Sequence, residues 1–216
     1  MISETSKIRL LMELRSQGIT DARVLAALER TPRELFVPPD LRDQAYENTA
    51  LPIGKGQTIS QPIVVATMTQ QLKVGERMRV LEVGTGSGYQ AAVLARLCRW
   101  VYTIERHREL LTEAEERFKE LKLDNISTRW GDGCKGWPEQ APFDRIIVTA
   151  AAAEVPQALF DQLKDGGLMV APVGEDIWDQ RLMLISRTGD MFASEPLMDV
   201  RFVPLVEGRG DERPRR

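Results

Sequence analysis

A single histidine, His107, serves the whole 216-residue chain, and only two cysteines accompany it, Cys98 and Cys134. That scarcity removes several chemistries. Zinc centres draw on clustered His and Cys, and no metal-ligand spacing occurs here. A Ser-His-Asp triad would have to be built on His107, whose neighbours Arg106 and Arg108 suggest a solvated surface instead. Two thiols make no disulfide framework and read as the reduced cysteines of a cytoplasmic protein. No apolar run is long enough to span a membrane, and residues 1–8 are too polar for a signal peptide. Basic charge is not in excess either: 29 Lys and Arg against 32 Asp and Glu leave a net charge of −3. A nucleic-acid partner, which would call for a basic surface, is therefore not expected.

What is present is a glycine-rich turn between an apolar run and a helix start, Val80-Leu81-Glu82-Val83-Gly84-Thr85-Gly86-Ser87-Gly88-Tyr89. Glycines let a backbone turn approach a ligand closely, and the helix N-terminus follows at once. The dinucleotide fingerprint is G-x-G-x-x-G. Gly84 and Gly86 fit it, but Tyr89 occupies the third glycine position and the pattern is E-x-G-x-G-x-G. A pyrophosphate cofactor of a nicotinamide dehydrogenase is thereby disfavoured. A single adenosine without phosphate, as in S-adenosylmethionine, suits the turn better.

Periodicity around that turn predicts an α/β chain. Apolar spacing gives a first helix with Ile8, Leu11 and Met12 on one face, a second that carries Val24, Leu25 and Leu28 and ends before Pro32, and a third near 62–72. Gly18 stands at the C-terminal cap of the first, Thr20 at the N-cap of the second, and Val65, Met68 and Leu72 point inward on the third. Residues 48–56 show no period, and Gly54-Lys55-Gly56 reads as a flexible loop. Beyond residue 76 strands and helices alternate: strands at 79–83, 100–104, 126–130, 145–149 and 168–171, helices at 89–97, 111–121 and 156–163. That order implies a mostly parallel sheet with helices on both faces. Two antiparallel strands, 181–187 and 200–206, close the chain. The charged stretch 209–216 reads as a disordered tail.

Ligands of open α/β sheets sit beyond the carboxyl ends of the strands. Four places qualify: the Gly84–Gly88 turn; Glu105, where a carboxylate 21 positions past Gly84 would accept ribose hydroxyls; Gly131-Asp132-Gly133; and the small residues from Thr149 to Ala153. Glu105 alone could be a helix-start acid and Asp132 a turn residue, but their register at successive strand ends favours nucleotide binding. Trp130 and Trp137 read as packing residues. Ser60, before Pro62, reads either as a helix cap alone or as a hydroxyl that, with nearby N–H groups, holds a carboxylate substrate.

The chain resembles the bacterial protein-L-isoaspartate O-methyltransferases over about residues 5–208. The resemblance rests on Leu51-Pro52-Ile53-Gly54, Gly56-Gln57-Thr58-Ile59-Ser60-Gln61-Pro62, Gly131-Asp132-Gly133, Pro142-Phe143-Asp144, Pro156-Gln157-Ala158-Leu159, Gly166-Gly167, Pro172-Val173-Gly174 and Arg201-Phe202-Val203-Pro204-Leu205-Val206. The Thr58-Ile59-Ser60 and Val203-Pro204-Leu205 segments are the family-specific ones. The resemblance implies a Rossmann-like methyltransferase sheet with an N-terminal helical extension: one domain over 1–208, the extension and active-site loop in 1–75 and the core in 76–208. It implies methylation of the free α-carboxyl of L-isoaspartyl residues in damaged proteins, with S-adenosylmethionine as cofactor and S-adenosylhomocysteine as product. Ser60 would be the active-site serine. Gln57, Thr58, Ile59 and Ser60 would cover the cofactor. Further cofactor contacts would come from Glu82, from Gly84, Thr85, Gly86, Ser87 and Gly88, from Glu105 and Arg106, and from Asp132 and Gly133. Val203, Pro204 and Leu205, with Ser60, would line the peptide site. Val65 departs from the pattern, standing where some animal members carry histidine, and the residues after Val206 have no counterpart. Isoaspartyl peptides and proteins are the expected partners, without nucleic acid or membrane, and a monomer is the default. Rival readings are a related methyltransferase with another acceptor and a non-catalytic cofactor-binding module.

Overall fold

Strand β3 (Arg79–Val83) is the centre of the molecule, and its apolar run is buried on both faces. It pairs in parallel with β4 (Trp100–Glu105) on one side and with β6 (Phe143–Val148) on the other. The full order is β5-β4-β3-β6-β7-β8-β9, where β5 is Ile126–Trp130, β7 Leu163–Val173, β8 Gln180–Thr188 and β9 Met191–Val200. Strands β3 to β7 run parallel, and the β8–β9 hairpin adds antiparallel to β7. The chain thus winds outward from β3 through β4 to β5, returns, and continues the other way from β6. That reversal leaves a crevice at the carboxyl ends of β3 and β6, the place where open α/β sheets take ligands. Helices α4 (Tyr89–Ala95), α5 (Arg108–Glu120) and α6 (Gln157–Gln162) make the connections. The computed structural model describes residues 4–210. None of its helices is long and apolar enough to cross a membrane.

The N-terminal helices pack beside this sheet. Helix α1 (Glu4–Ser16) ends as expected: Gly18 takes a φ of +97° while the Ile19 N–H reaches back to the Leu14 carbonyl at 3.0 Å. Its inner face differs from the expectation. Leu10 and Leu14 are buried, whereas Ile8 and Met12 are exposed. Apolar residues occupy two neighbouring stripes of this helix, and docking selected the other one. Helix α2 (Ala22–Glu29) starts one residue later than expected, because the Asp21 carboxylate accepts from the Arg23 N–H at 2.8 Å and so forms the cap in place of Thr20. Helix α3 (Pro62–Gln71) buries Val65 and Met68, with Leu72 at its C-cap, as the spacing predicts.

Two segments are organised otherwise than the sequence suggests. Residues 51–59 form an antiparallel hairpin, β1 (Leu51–Gly54) with β2 (Gln57–Ile59), rather than a loop without structure. Lys55 and Gly56 both have positive φ, 51° and 68°, the conformation a tight hairpin turn demands. The second correction lies at the C-terminus. The partner of β8 is Met191–Val200, not 200–206. This outermost strand is exposed along most of its length and carries Pro196, as an edge strand tolerates, so it lacks the apolar alternation that identifies inner strands. Residues 201–206 are freed to cross the carboxyl ends of the sheet. There Val203 accepts from the Ala151 N–H at 2.8 Å, and the Leu205 N–H donates to the Ala151 carbonyl at 2.6 Å. The supposed tail begins ordered: the Arg209 guanidinium sits 4.3 Å from the Trp130 ring centre and the Gly210 N–H donates to the Arg106 carbonyl at 2.9 Å. Residues 211–216 of that expected tail lie outside the described residues.

Candidate active site

A cleft of about 920 Å³, counting its open mouth, lies over the carboxyl ends of β3, β4 and β6. The turn after β3 forms its floor. Gly84 has a φ of +99°, and a side chain there would meet Thr149 Oγ1 of the next strand end at 2.3 Å. A glycine is therefore required for the two strand ends to approach so closely. The Thr149 hydroxyl donates to the Gly84 carbonyl at 2.7 Å and ties them. Glu105, at the end of β4, is buried and turns its carboxylate toward the same turn: Oε2 accepts from the Gly86 N–H at 2.8 Å and Oε1 from the His107 N–H at 2.9 Å. Both oxygens thus stand beside the glycine turn, where hydroxyl groups of a ligand could bond to them.

The second wall is the hairpin and the segment after it. Gln57, Thr58, Ile59 and Ser60 all face the cleft. Ser60 is not the helix cap. Gln61 holds the N-cap position without a side-chain bond, and the free Ile63 N–H is taken by Asn48 Oδ1 at 3.0 Å. The Ser60 hydroxyl bonds no other described residue, while the Ser60 carbonyl is held by the Arg33 guanidinium at 2.8 Å. The third wall is residues 203–206, with Val203, Pro204, Leu205 and Val206 on the cleft. Thr149 and Ala150 close its inner end.

Most residues expected at the site meet here: the Gln57–Ser60 stretch, Gly84, Thr85, Gly86, Ser87, Glu105, Arg106, Gly133, Val203, Pro204 and Leu205. Three do not reach the cleft wall. Glu82 is fully buried beneath it; its Oε2 bonds the Thr103 hydroxyl at 2.5 Å, and that hydroxyl meets Thr85 Oγ1 at 2.7 Å. Burial pushes the Glu82 carboxyl up to about 8, with the nearby Glu105 charge acting in the same direction against the Thr103 hydrogen bond. Gly88 is turned toward α5, where an added Cβ would come within 2.7 Å of the Phe118 ring. Asp132 caps a short turn, its Oδ1 accepting from the Cys134 N–H at 3.0 Å. His107, expected on an open surface, is half-buried under Gly210, and its Nδ1 has no partner among the described residues. Trp130 and Trp137 pack against arginines and, for Trp137, Tyr102.

Several lining residues escaped the sequence. Tyr89 and Gln90 form the first turn of α4 and face the cleft; a helix that starts at a ligand-facing turn points its first residues there, so their register could have revealed them. The Gln90 amide donates to Thr69 Oγ1 at 3.0 Å, and its Oε1 has no partner among the described residues. Val65, where the resemblance departs, and Val206, the last residue of the final segment that carries it, also line the cleft.

The family model for protein-L-isoaspartate(D-aspartate) O-methyltransferase matches residues 5–210. The chain belongs to this family. Relatives named protein-L-isoaspartate O-methyltransferase include one from Paramagnetospirillum magneticum, 62% identical over 97% of this chain and 99% of its own. One from Parvibaculum lavamentivorans is 64% identical over 97% and 95%. Two solved structures share the fold beyond the core sheet. A protein-L-isoaspartate O-methyltransferase superposes with a TM-score of 0.81 at 30% identity, over 92% of this chain and 65% of that longer one. A Plasmodium falciparum structure, described as a beta-aspartate methyltransferase in complex with S-adenosyl-L-homocysteine, gives 0.79 at 28%, over 92% and 97%. The membership covers all three walls of the cleft, including the segment 203–206.

Proposed function

We propose that the chain transfers the methyl group of S-adenosylmethionine to the free α-carboxyl of L-isoaspartyl residues in damaged proteins and peptides. The observation that carries this reading is the opposition across one cleft of a nucleoside-type floor, the glycine turn with Glu105, and a free serine hydroxyl on the wall above it. Ile59, Val65 and Ile104 give that floor apolar flanks of a kind an adenine ring would cover, and Glu105 offers two carboxylate oxygens for ribose hydroxyls. S-adenosylmethionine fits these residues and supplies an activated methyl on a sulfonium.

The chain has little chemistry left to provide. A carboxyl group with an ordinary pKa near 4 is ionised at neutral pH, so the acceptor needs no general base and the scarcity of histidine is no obstacle. The protein's contribution is placement, worth roughly 7–11 kcal/mol when reacting groups are well oriented. Ser60 donates its hydroxyl hydrogen to the acceptor carboxylate and aims it. The Gln90 Oε1, with no partner among the described residues, is a further acceptor on the cofactor side. Val203, Pro204 and Leu205 receive the peptide, held in place by the two hydrogen bonds to Ala151. In this reading residues 1–208 act as one methyltransferase unit, since a continuous apolar cluster joins Leu10 of the first helix to Phe202. Cytoplasmic residence belongs to the same proposal and rests on the two free cysteines.

The test uses methyl-labelled S-adenosylmethionine and two peptides identical except for isoaspartyl or aspartyl at one position. Base-labile label on the isoaspartyl peptide alone is expected. Equal label on both, or none while the cofactor binds, would refute the acceptor assignment. Ser60→Ala should lower turnover at least tenfold and leave cofactor affinity within about twofold, because one hydrogen bond to a charged group is worth roughly 1.5–3 kcal/mol. Calorimetry that finds the affinity lost instead would move Ser60 to the cofactor.

A further inference from the structure

Arg33 is the bulkiest fully buried side chain among the described residues, with no exposed surface. It opens a 3-10 turn, Arg33–Phe36, far from the cleft in sequence. Its Nη2 donates to the Ser60 carbonyl at 2.8 Å and more weakly to the Thr49 carbonyl at 3.4 Å. Its Cζ lies 4.8 Å from the centre of the Tyr89 ring, itself part of the cleft wall. Nε and Nη1 have no hydrogen-bond partner among the described residues. Among the described residues no carboxylate forms an ion pair with it. The adjacent Glu34 is engaged by the Tyr46 hydroxyl at 2.5 Å.

Carbonyl oxygens and a ring face carry no net charge, and a guanidinium stays protonated inside proteins. Directly behind Ser60 there is therefore a buried positive charge that no carboxylate among the described residues pairs with. Such a charge is expensive to bury unless an anion offsets it, and the open side of this arrangement is the cleft. We infer that Arg33 is a positioning residue for the acceptor. It fixes the Ser60 backbone so that the hydroxyl stays in the cleft, and its charge makes that wall select an anionic acceptor group over a neutral one. The inference rests on the proposal that the cleft methylates carboxylates. A lysine would not replace it fully: the planar fork reaches two carbonyls while lying on Tyr89, and an ammonium brings the charge without that geometry. If Arg33 were only a staple between the 3-10 turn and the Ser60 segment, its loss would not change how the site ranks charged against neutral acceptors.

That ranking is the measurement. Binding is compared for an isoaspartyl peptide and the same peptide with its free α-carboxylate replaced by a carboxamide, each on protein saturated with S-adenosylhomocysteine. The wild type should prefer the carboxylate. Arg33→Met should reduce the preference at least tenfold and raise KM for the isoaspartyl peptide more than it lowers kcat, with S-adenosylhomocysteine affinity unchanged. Arg33→Lys should keep most of the preference while losing turnover. An unchanged preference in folded Arg33→Met overturns the inference. Where Arg33→Met does not fold, Arg33→Lys combined with Ser60→Ala decides: a Lys effect on turnover that disappears in the Ser60→Ala background supports it, and two independent effects overturn it. A wild type that neither methylates the isoaspartyl peptide nor prefers it brings down the functional proposal and this inference together. Wild-type activity with an unaltered Arg33→Met preference brings down the inference alone.

Discussion

Burial at the end of β3 lets Glu82 keep a proton that the unfolded chain would release, since its carboxyl is pushed up to about 8 against an ordinary value near 4.3. Stability from this group is complete below the unfolded value and is lost as pH rises through the folded one. Each unit is worth about 1.4 kcal/mol. Glu82→Gln keeps an acceptor for Thr103 and cannot ionise. Its stability relative to wild type should therefore climb between about pH 4.5 and 8 and level off above, read by urea unfolding across that range. A difference that stays flat would mean the carboxyl is ionised in the fold. Both oxygens of Glu105 accept from backbone N–H groups at the cleft, those of Gly86 and His107. Glu105→Ala should weaken cofactor binding by roughly 1.5–3 kcal/mol for each charged hydrogen bond lost; an unchanged dissociation constant in calorimetry contradicts its ribose role. At this scale the sequence was uneven. Strand-end counting nominates Glu105 because a parallel strand delivers its last residue to the ligand side. It equally nominates Asp132, which the fold spends on a cap, and it passes over Arg33, which stands at no strand end; Glu82, which the resemblance put at the cofactor, is turned inward.

Between elements, the third glycine of the turn is informative. Gly88 begins α4 with a φ of +90° and faces the Phe118 ring and the Ala114 methyl of α5. Gly88→Ala adds left-handed strain and a clash with two buried groups, each of order 1–3 kcal/mol, for about 2–6 kcal/mol together. Thermal and urea unfolding should both report it, and loss of cofactor affinity with stability intact would show that the residue meets the ligand instead. The strand and helix signals of the core are easy to read because β3, β6 and α3 carry their burial in continuous or evenly spaced apolar residues. The hairpin of residues 51–59 and the edge strand β9 are not, because short or solvent-facing strands gain their hydrogen bonds from a neighbour and need no apolar pattern of their own.

For the molecule as a whole, the cleft joins distant stretches of chain, among them residues 57–60, 83–106, 149–150 and 203–206. A ligand that bridges them stabilises the folded state by mass action. At a hundredfold excess over its dissociation constant, S-adenosylhomocysteine should add about 2.7 kcal/mol. At this chain length that raises Tm by roughly 5–10 °C. A melting curve that does not move with ligand would argue against a cofactor site here. The sequence by itself determined the alternation of strands and helices, the glycine turn and the serine segment, since these depend on local periodicity and on backbone freedom carried by single residues. Which stripe of α1 is buried, that 201–206 leaves the sheet to wall the cleft, and that Arg33 stands buried behind Ser60 were decided only by the tertiary structure. Those outcomes turn on which surfaces meet, and residues separated by tens of positions carry no mutual pattern until packing brings them within a hydrogen bond.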